Sequence, residues 1–135
     1  MAKLHWSIGV LTLVLFVLTG QYMQRFLGEL AGMADGQRML YRSAHIYLLF
    51  SGFSNLLFAN LAVAQGGRWR RIAHRVAGAV LLMAPVLLLS GFFLDSSDGS
   101  LDRRFVPPAL FGTFAVALWT AWEGSLRLFR QRERG

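Results

Sequence analysis

The chain has 135 residues, enough for one domain, and 55% of them are hydrophobic whereas only 16% are charged. A soluble domain typically carries about 25% charged residues, so this composition favours a membrane protein. The absence of cysteine excludes disulfides, thiolate metal sites and CxxC redox chemistry. The net charge of +7 would also suit nucleic acid. However, the arginines lie in short segments between apolar runs, where they indicate topology and headgroup contacts, so no nucleic-acid partner is predicted.

The first apolar run predicts a membrane-spanning helix over residues 4–26. At about 100° per residue, His5, Thr12 and Thr19 share one face of this helix, which we expect to pack against other helices. A cleaved signal peptide with Lys3 as its charged region is the alternative. The apolar run is longer than a typical signal-peptide core, and no A-x-A site follows it, so the spanning helix is preferred.

The second apolar run, predicted as a helix over residues 43–64, is the most polar of the four. Its large apolar residues, such as Phe53 and Leu57, fall on one side and are predicted to face lipid. Small and polar residues favour the interior of a helix bundle. Residues 25–42 are rich in glycine and charge, and we expect them to form a connection without a continuous helix. The small and polar side chains of the second helix share an arc of roughly 120°: His45, Ser51, Gly52 and Asn55.

The remaining apolar runs predict helices over residues 72–94 and 106–126. Pro85 lacks a backbone N–H and is expected to kink the third helix near Leu81. A basic hairpin precedes the third helix and is predicted to contact lipid headgroups. Its residues are Arg68, Trp69, Arg70 and Arg71.

The four predicted helices give an all-α, membrane-embedded, up-down-up-down four-helix bundle, one transmembrane domain over residues 1–135. Nine of the fourteen Lys and Arg residues then lie on one side, in the N-terminus, the basic hairpin and the C-terminal tail. The positive-inside rule makes that side cytoplasmic, so both termini are predicted inside. The whole chain resembles small bacterial four-helix integral membrane proteins, which implies a multi-pass location in the bacterial inner membrane.

The histidines raise the possibility of haem, because a membrane b-type cytochrome needs two histidines that face each other from different helices. His5 opens the first helix and His74 opens the third, at the same predicted edge of the membrane. The pairs His5-Trp6 and Thr19-Gly20 resemble the start of the first helix of bacterial b561-type cytochromes. That resemblance implies haem b with His5 and His74 as ligands. We instead expect both histidines at headgroup level, since Arg71 and Arg75 flank His74 closely.

Other chemistry finds little support in the sequence. The acidic residues lie at helix edges or in loops, which disfavours proton-coupled export. The loop carboxylates Asp95, Asp98 and Asp102 lack the EF-hand spacing for calcium and predict a solvated loop. The interior polar residues are expected to hydrogen-bond across helices. They are His45, Ser51, Asn55, Thr12, Thr19, Thr113 and Thr120.

The sequence therefore predicts a non-enzymatic integral membrane protein that acts as an accessory or assembly subunit or as a homo-oligomer. Its predicted partners are membrane lipids and other membrane subunits or further copies of itself. One alternative is a membrane redox protein that binds b-type haem or quinone, and another is a small channel or carrier.

Overall fold

A computed structural model describes residues 1–61, 67–96 and 103–132, and four long helices dominate these ranges. The predicted all-α class with four helices is confirmed. A single 3-10 turn over Gly28–Leu30 separates the first two helices, and a π-helical turn over Gly91–Asp95 continues the third. The helices are α1 (Ala2–Phe26), α2 (Asp35–Leu61), α3 (Arg68–Ser90) and α4 (Val106–Arg132).

Helix α2 begins at Asp35, eight residues before its predicted start. The Asp35 carboxylate lies in the first turn, where it favours the positive end of the helix dipole, and it pairs with Arg38 one turn later. The turn between α1 and α2 is confined to residues 27–34, where Gly28 and Gly32 have φ values of +53° and +79°. The prediction of a non-helical connection was therefore wrong for residues 35–42. Residues 62–64, the predicted end of this helix, lie outside the described ranges.

Helix α3 begins at Arg68, four residues before the predicted start at 72. The basic hairpin residues therefore form the first turn of α3 rather than a separate loop. Pro85 lies inside α3 without ending it, and the predicted kink near Leu81 stays a prediction. The π-helical turn after Ser90 carries the chain onward to Asp95.

Helices α2 and α3 form the middle of the fold. Each contacts all three other helices, whereas α1 packs chiefly on α2 and α4 packs chiefly on α3. The larger buried cluster lies around Phe92 and includes Tyr41 and Leu48. A smaller cluster forms around Leu81 and Phe58.

Helices α1 and α2 approach most closely at Gly9 and Gly52. A Cβ atom on Gly9 would lie 2.7 Å from Leu56 Cγ and 3.0 Å from the Gly52 carbonyl oxygen. A Cβ atom on Gly52 would lie 2.9 Å from Leu13 Cδ2 and 3.3 Å from the Gly9 carbonyl oxygen. Leucines from each helix thus cover a glycine of the other, which is the close packing that small residues permit between helices.

The turn before α4 is organised by Asp95, which is buried. Its carboxylate accepts the backbone N–H of Phe105 at 3.1 Å and of Val106 at 3.4 Å, at the beginning of α4. This arrangement satisfies backbone donors that a helix N-terminus otherwise leaves without partners. The expectation of a solvated loop was wrong for Asp95, and Asp98 and Asp102 lie outside the described residues.

Two of the described helices are long and apolar enough to cross a membrane, α1 and α3 with its π-helical continuation. The sequence predicted four such spans. Polar residues such as His45, Ser51 and Asn55 lower the hydropathy of α2, and α4 opens with Pro107 and Pro108 and carries further polar residues.

Candidate functional site

The imidazole of His5 is the centre of a buried polar cluster near the beginning of α1. Only 1% of this residue is exposed. Its Nδ1 lies 2.9 Å from Oδ1 of Asn55 on α2, a hydrogen bond between residues fifty positions apart. The burial of His5 agrees with its predicted place on the inward face of α1, where α2 and α3 cover it, and its headgroup-level depth stays a prediction.

Asn55 links three helices through its side-chain amide. Its Nδ2 donates to the Ser51 carbonyl in α2 at 3.1 Å and to the Leu81 carbonyl in α3 at 2.9 Å. The Leu81 carbonyl needs an external donor because the residue four positions later is Pro85, which has no backbone N–H. Asn55 thus replaces a helical hydrogen bond that proline removes, and it does so in the buried interior, where an unpaired carbonyl is costly.

These bonds determine the tautomer of His5. Both protons of the Asn55 amide go to carbonyl oxygens, so Oδ1 of Asn55 is left as an acceptor. The His5 ring must then donate from Nδ1, and in the neutral form of the ring Nε2 carries the lone pair. Within the described residues this buried Nε2 has no hydrogen-bond partner. It faces Gly78 of α3, where an added Cβ would lie 3.0 Å away.

Aromatic rings extend the cluster from His5 towards α4. The Phe58 ring lies 4.7 Å from the His5 ring and 4.6 Å from the His74 ring, with which it stacks. His74 is half-buried and its ring centre lies 6.2 Å from that of Trp119. Both predicted haem-ligand candidates are therefore close together at one end of the bundle, and Phe58 contacts both.

A second histidine site lies further along α1 and α2. The Nδ1 atom of His45 lies 2.9 Å from Oγ1 of Thr19, and its ring stacks on Phe16 with centres 4.1 Å apart. Thr19 donates its one hydroxyl proton to the Phe16 carbonyl at 3.0 Å, so it accepts from His45. The Cε1 and Nε2 edge of this ring faces Gly20, where an added Cβ would lie 3.2 Å from Cε1.

The two sites follow one pattern: each histidine donates from Nδ1 to a neighbouring helix, packs on a phenylalanine and turns its other edge to a glycine. Asn55, Thr19 and His45 make hydrogen bonds across helices, as the sequence predicts, but the sequence did not indicate which histidine each partner would meet. The spacing of seven between His5, Thr12 and Thr19 identified the α1 face correctly. It carried no information about which α2 residue lies opposite each of them.

The remaining threonines bond locally. Thr12, Thr113 and Thr120 each donate to the carbonyl four residues earlier in their own helix. The expectation that they bond across helices was wrong for these three, because their short side chains reach the nearest helical carbonyl first. Ser51 is buried, and its Oγ has no hydrogen-bond partner among the described residues.

The basic hairpin residues differ from one another in their contacts. Arg70 binds Glu123 of α4 through both Nε and Nη2, at 3.0 and 2.9 Å. This pair ties the beginning of α3 to the later part of α4. The other three residues, predicted to contact headgroups, are exposed: Arg68, Trp69 and Arg71.

The two sites hold imidazole rings by their Nδ1 atoms in a largely apolar setting. Among the described residues, no group of three or more His, Cys, Asp or Glu side chains could hold a metal ion. Comparison with protein-family models, curated proteins and solved structures finds no match to this chain. The geometry of the chain itself is therefore the basis for any functional proposal.

Proposed function

We propose that this chain is a small, non-enzymatic integral membrane protein that crosses the bacterial inner membrane four times and acts as an accessory or assembly subunit or as a homo-oligomer. The observation that carries the proposal is the apolar exterior. Large apolar side chains are exposed on all four helices, far more than the scattered exposed residues of an ordinary soluble domain. Members of this exterior are Leu11, Val14, Val17, Leu18, Ile46, Phe53, Leu57, Val76, Met83, Val86, Phe111, Phe114 and Leu118.

Tryptophan and charged residues at one end of the bundle support the same proposal. Trp6, Trp69 and Trp122 are exposed near the beginnings of α1 and α3 and near the later part of α4, where tryptophan suits a membrane–water interface. The Arg70–Glu123 ion pair joins α3 and α4 at this end. These contacts are those expected of an up-down-up-down bundle, and the excess of basic residues at this end favours a cytoplasmic location for it.

A cysteine-labelling experiment tests the topology. Because the native chain has no cysteine, the single variants Gly67→Cys and Ala34→Cys report one site each, and both positions are exposed. In intact cells we expect an impermeant thiol reagent to label Ala34→Cys and to leave Gly67→Cys unlabelled until the membrane is opened. Labelling of Gly67→Cys alone would show that the orientation is the opposite of the one proposed. Recovery of the protein in the soluble fraction would overturn the membrane proposal.

The interior supports a role without catalysis. Asn55 gives both amide protons to helix carbonyls, and the buried threonines spend their hydroxyl protons in the same way. The bond from Asn55 to Leu81 holds α2 and α3 together, and the threonine bonds stay within one helix, so these protons go to backbone carbonyls rather than to a substrate. Gentle purification in detergent tests the assembly role: we expect the protein to elute with a partner or as more than one 15.1 kDa copy, and a bare monomer would contradict it.

A membrane redox protein with b-type haem is the second candidate, favoured by one observation. The buried Nε2 of His5 has no hydrogen-bond partner among the described residues, and its Nδ1–H is held by Asn55, as the non-coordinating nitrogen of a ligand histidine commonly is held. His5 and His74 would hold the haem, which would supply one-electron chemistry. Phe58 contacts both imidazoles at present, so its ring would have to move before haem could bridge them.

An absorbance spectrum separates the two candidates. Because Phe58 packs against both rings, we expect protein purified from a haem-replete membrane to show no stoichiometric Soret band. A reduced-minus-oxidised b-type spectrum that both His5→Ala and His74→Ala abolish would establish the haem protein instead. The exposed Asn60→Ala variant of α2 serves as the control, since it lies outside the histidine cluster.

A further inference from the structure

A cluster of arginines lies at the beginning of α2, at the opposite end from the basic hairpin. Arg38 and Arg42 are one turn apart on α2, and Arg103, in the segment before α4, donates from Nη2 at 2.9 Å to Oγ of Ser43, the residue next to Arg42. Asp35 pairs with Arg38. The described side chains of this cluster thus carry three positive charges against one negative charge, an excess of positive charge on the side predicted to be extracytoplasmic.

A groove of about 450 Å³ opens within this cluster. All of its lining residues belong to α2: the polar residues are Asp35, Arg38, Arg42 and Ser43, and the apolar residues are Met39 and Ile46. Guanidinium groups are the side chains that bind phosphate oxygens most effectively, because their planar N–H donors match the geometry of the anion. The polar half of the groove therefore suits a phosphate group.

The apolar half of the groove continues along α2. Met39, Ile46 and Phe53 follow one another at spacings of seven, and each is at least half exposed. Seven residues are nearly two turns, so the three side chains form a strip about 21 Å long on one side of the helix. One leaflet of a bilayer has a hydrocarbon depth of about 15 Å. The strip is therefore long enough to accompany an acyl chain from the headgroup level inward.

We propose that this groove binds an anionic glycerophospholipid, with its phosphate between Arg42 and Arg103 and one acyl chain along Met39, Ile46 and Phe53. The inference rests on the proposed membrane location. Positive charge at one end and an exposed apolar strip leading away from it match the two halves of such a lipid. A free phosphate would use only the arginines, whereas a zwitterionic lipid would offer them less net negative charge.

Thermal melting in an uncharged detergent tests this site. We expect phosphatidylglycerol to raise the midpoint of wild-type unfolding by about 5 °C more than phosphatidylcholine with the same acyl chains. This difference should fall to less than half in Arg42→Gln and disappear in the double variant Arg42→Gln/Arg103→Gln. Arg42→Gln alone covers the case in which loss of the Arg103–Ser43 bond unfolds the protein.

The double variant Arg68→Gln/Arg71→Gln is the matched control, since it removes the same charge from exposed arginines at the other end. It should keep the full wild-type difference between the two lipids. An equal loss in both double variants, or an equal stabilisation by inorganic phosphate, would overturn the lipid site. Failure of the membrane proposal has a different signature, namely wild-type protein that stays soluble without detergent.

Discussion

Replacement of Gly52 by leucine is expected to lower the free energy of unfolding in detergent by about 1–3 kcal/mol. The reason is the close approach of α1 and α2, where a Cβ on Gly52 would already lie 2.9 Å from Leu13 Cδ2 and 3.3 Å from the Gly9 carbonyl oxygen. The Leu13 side chain can rotate away, but the Gly9 backbone cannot, so the larger side chain must separate the helices. Thermal melting of the purified variant measures the loss.

Phe53→Leu is the control for this variant, because Phe53 is the next residue of α2 and is half exposed on the outer face. It exchanges one outward-facing apolar side chain for another and should cost little. If Phe53→Leu destabilised the protein more than Gly52→Leu, the inward face of α2 would have been assigned wrongly.

Replacement of Asn55 by leucine is expected to destabilise the bundle by about 1–3 kcal/mol for each buried group that loses its partner. Two groups are affected strongly, the Leu81 carbonyl and the Nδ1–H of His5. Leucine has the same branched arrangement of side-chain heavy atoms as asparagine and is no smaller, so the loss does not come from a cavity. Asn60→Leu is the matched control, because Asn60 donates to a carbonyl of its own helix in the same way but is exposed.

The double variant Asn55→Leu/Pro85→Ala tests the physical cause. Alanine at position 85 restores the backbone N–H that can donate to the Leu81 carbonyl within α3. The cost of Asn55→Leu should therefore be smaller in the Pro85→Ala background than in the wild type, and the double-mutant cycle measures this coupling. Strictly additive costs would show that Asn55 does not replace the bond lost at the proline.

Helix positions and helix faces were predictable from the sequence alone, since both depend on local periodicity. Gly52 and Asn55 face inward and Phe53 and Leu57 face outward, as spacing along one helix predicts. Helix ends were less predictable. Helix α2 starts eight residues early at Asp35, where the acidic residue favours the first turn and good helix formers such as Gln37, Arg38 and Met39 follow the single glycine.

Only the tertiary structure decided which inward-facing groups meet. Periodicity places His5 on a face of α1 and Asn55 on a face of α2, but their contact depends on how far one helix slides along the other. That position is determined by close packing at Gly9 and Gly52. The same alignment brings Asn55 to the carbonyl that Pro85 leaves without a donor in α3. A local sequence pattern does not predict these contacts, because they join residues that are distant along the chain.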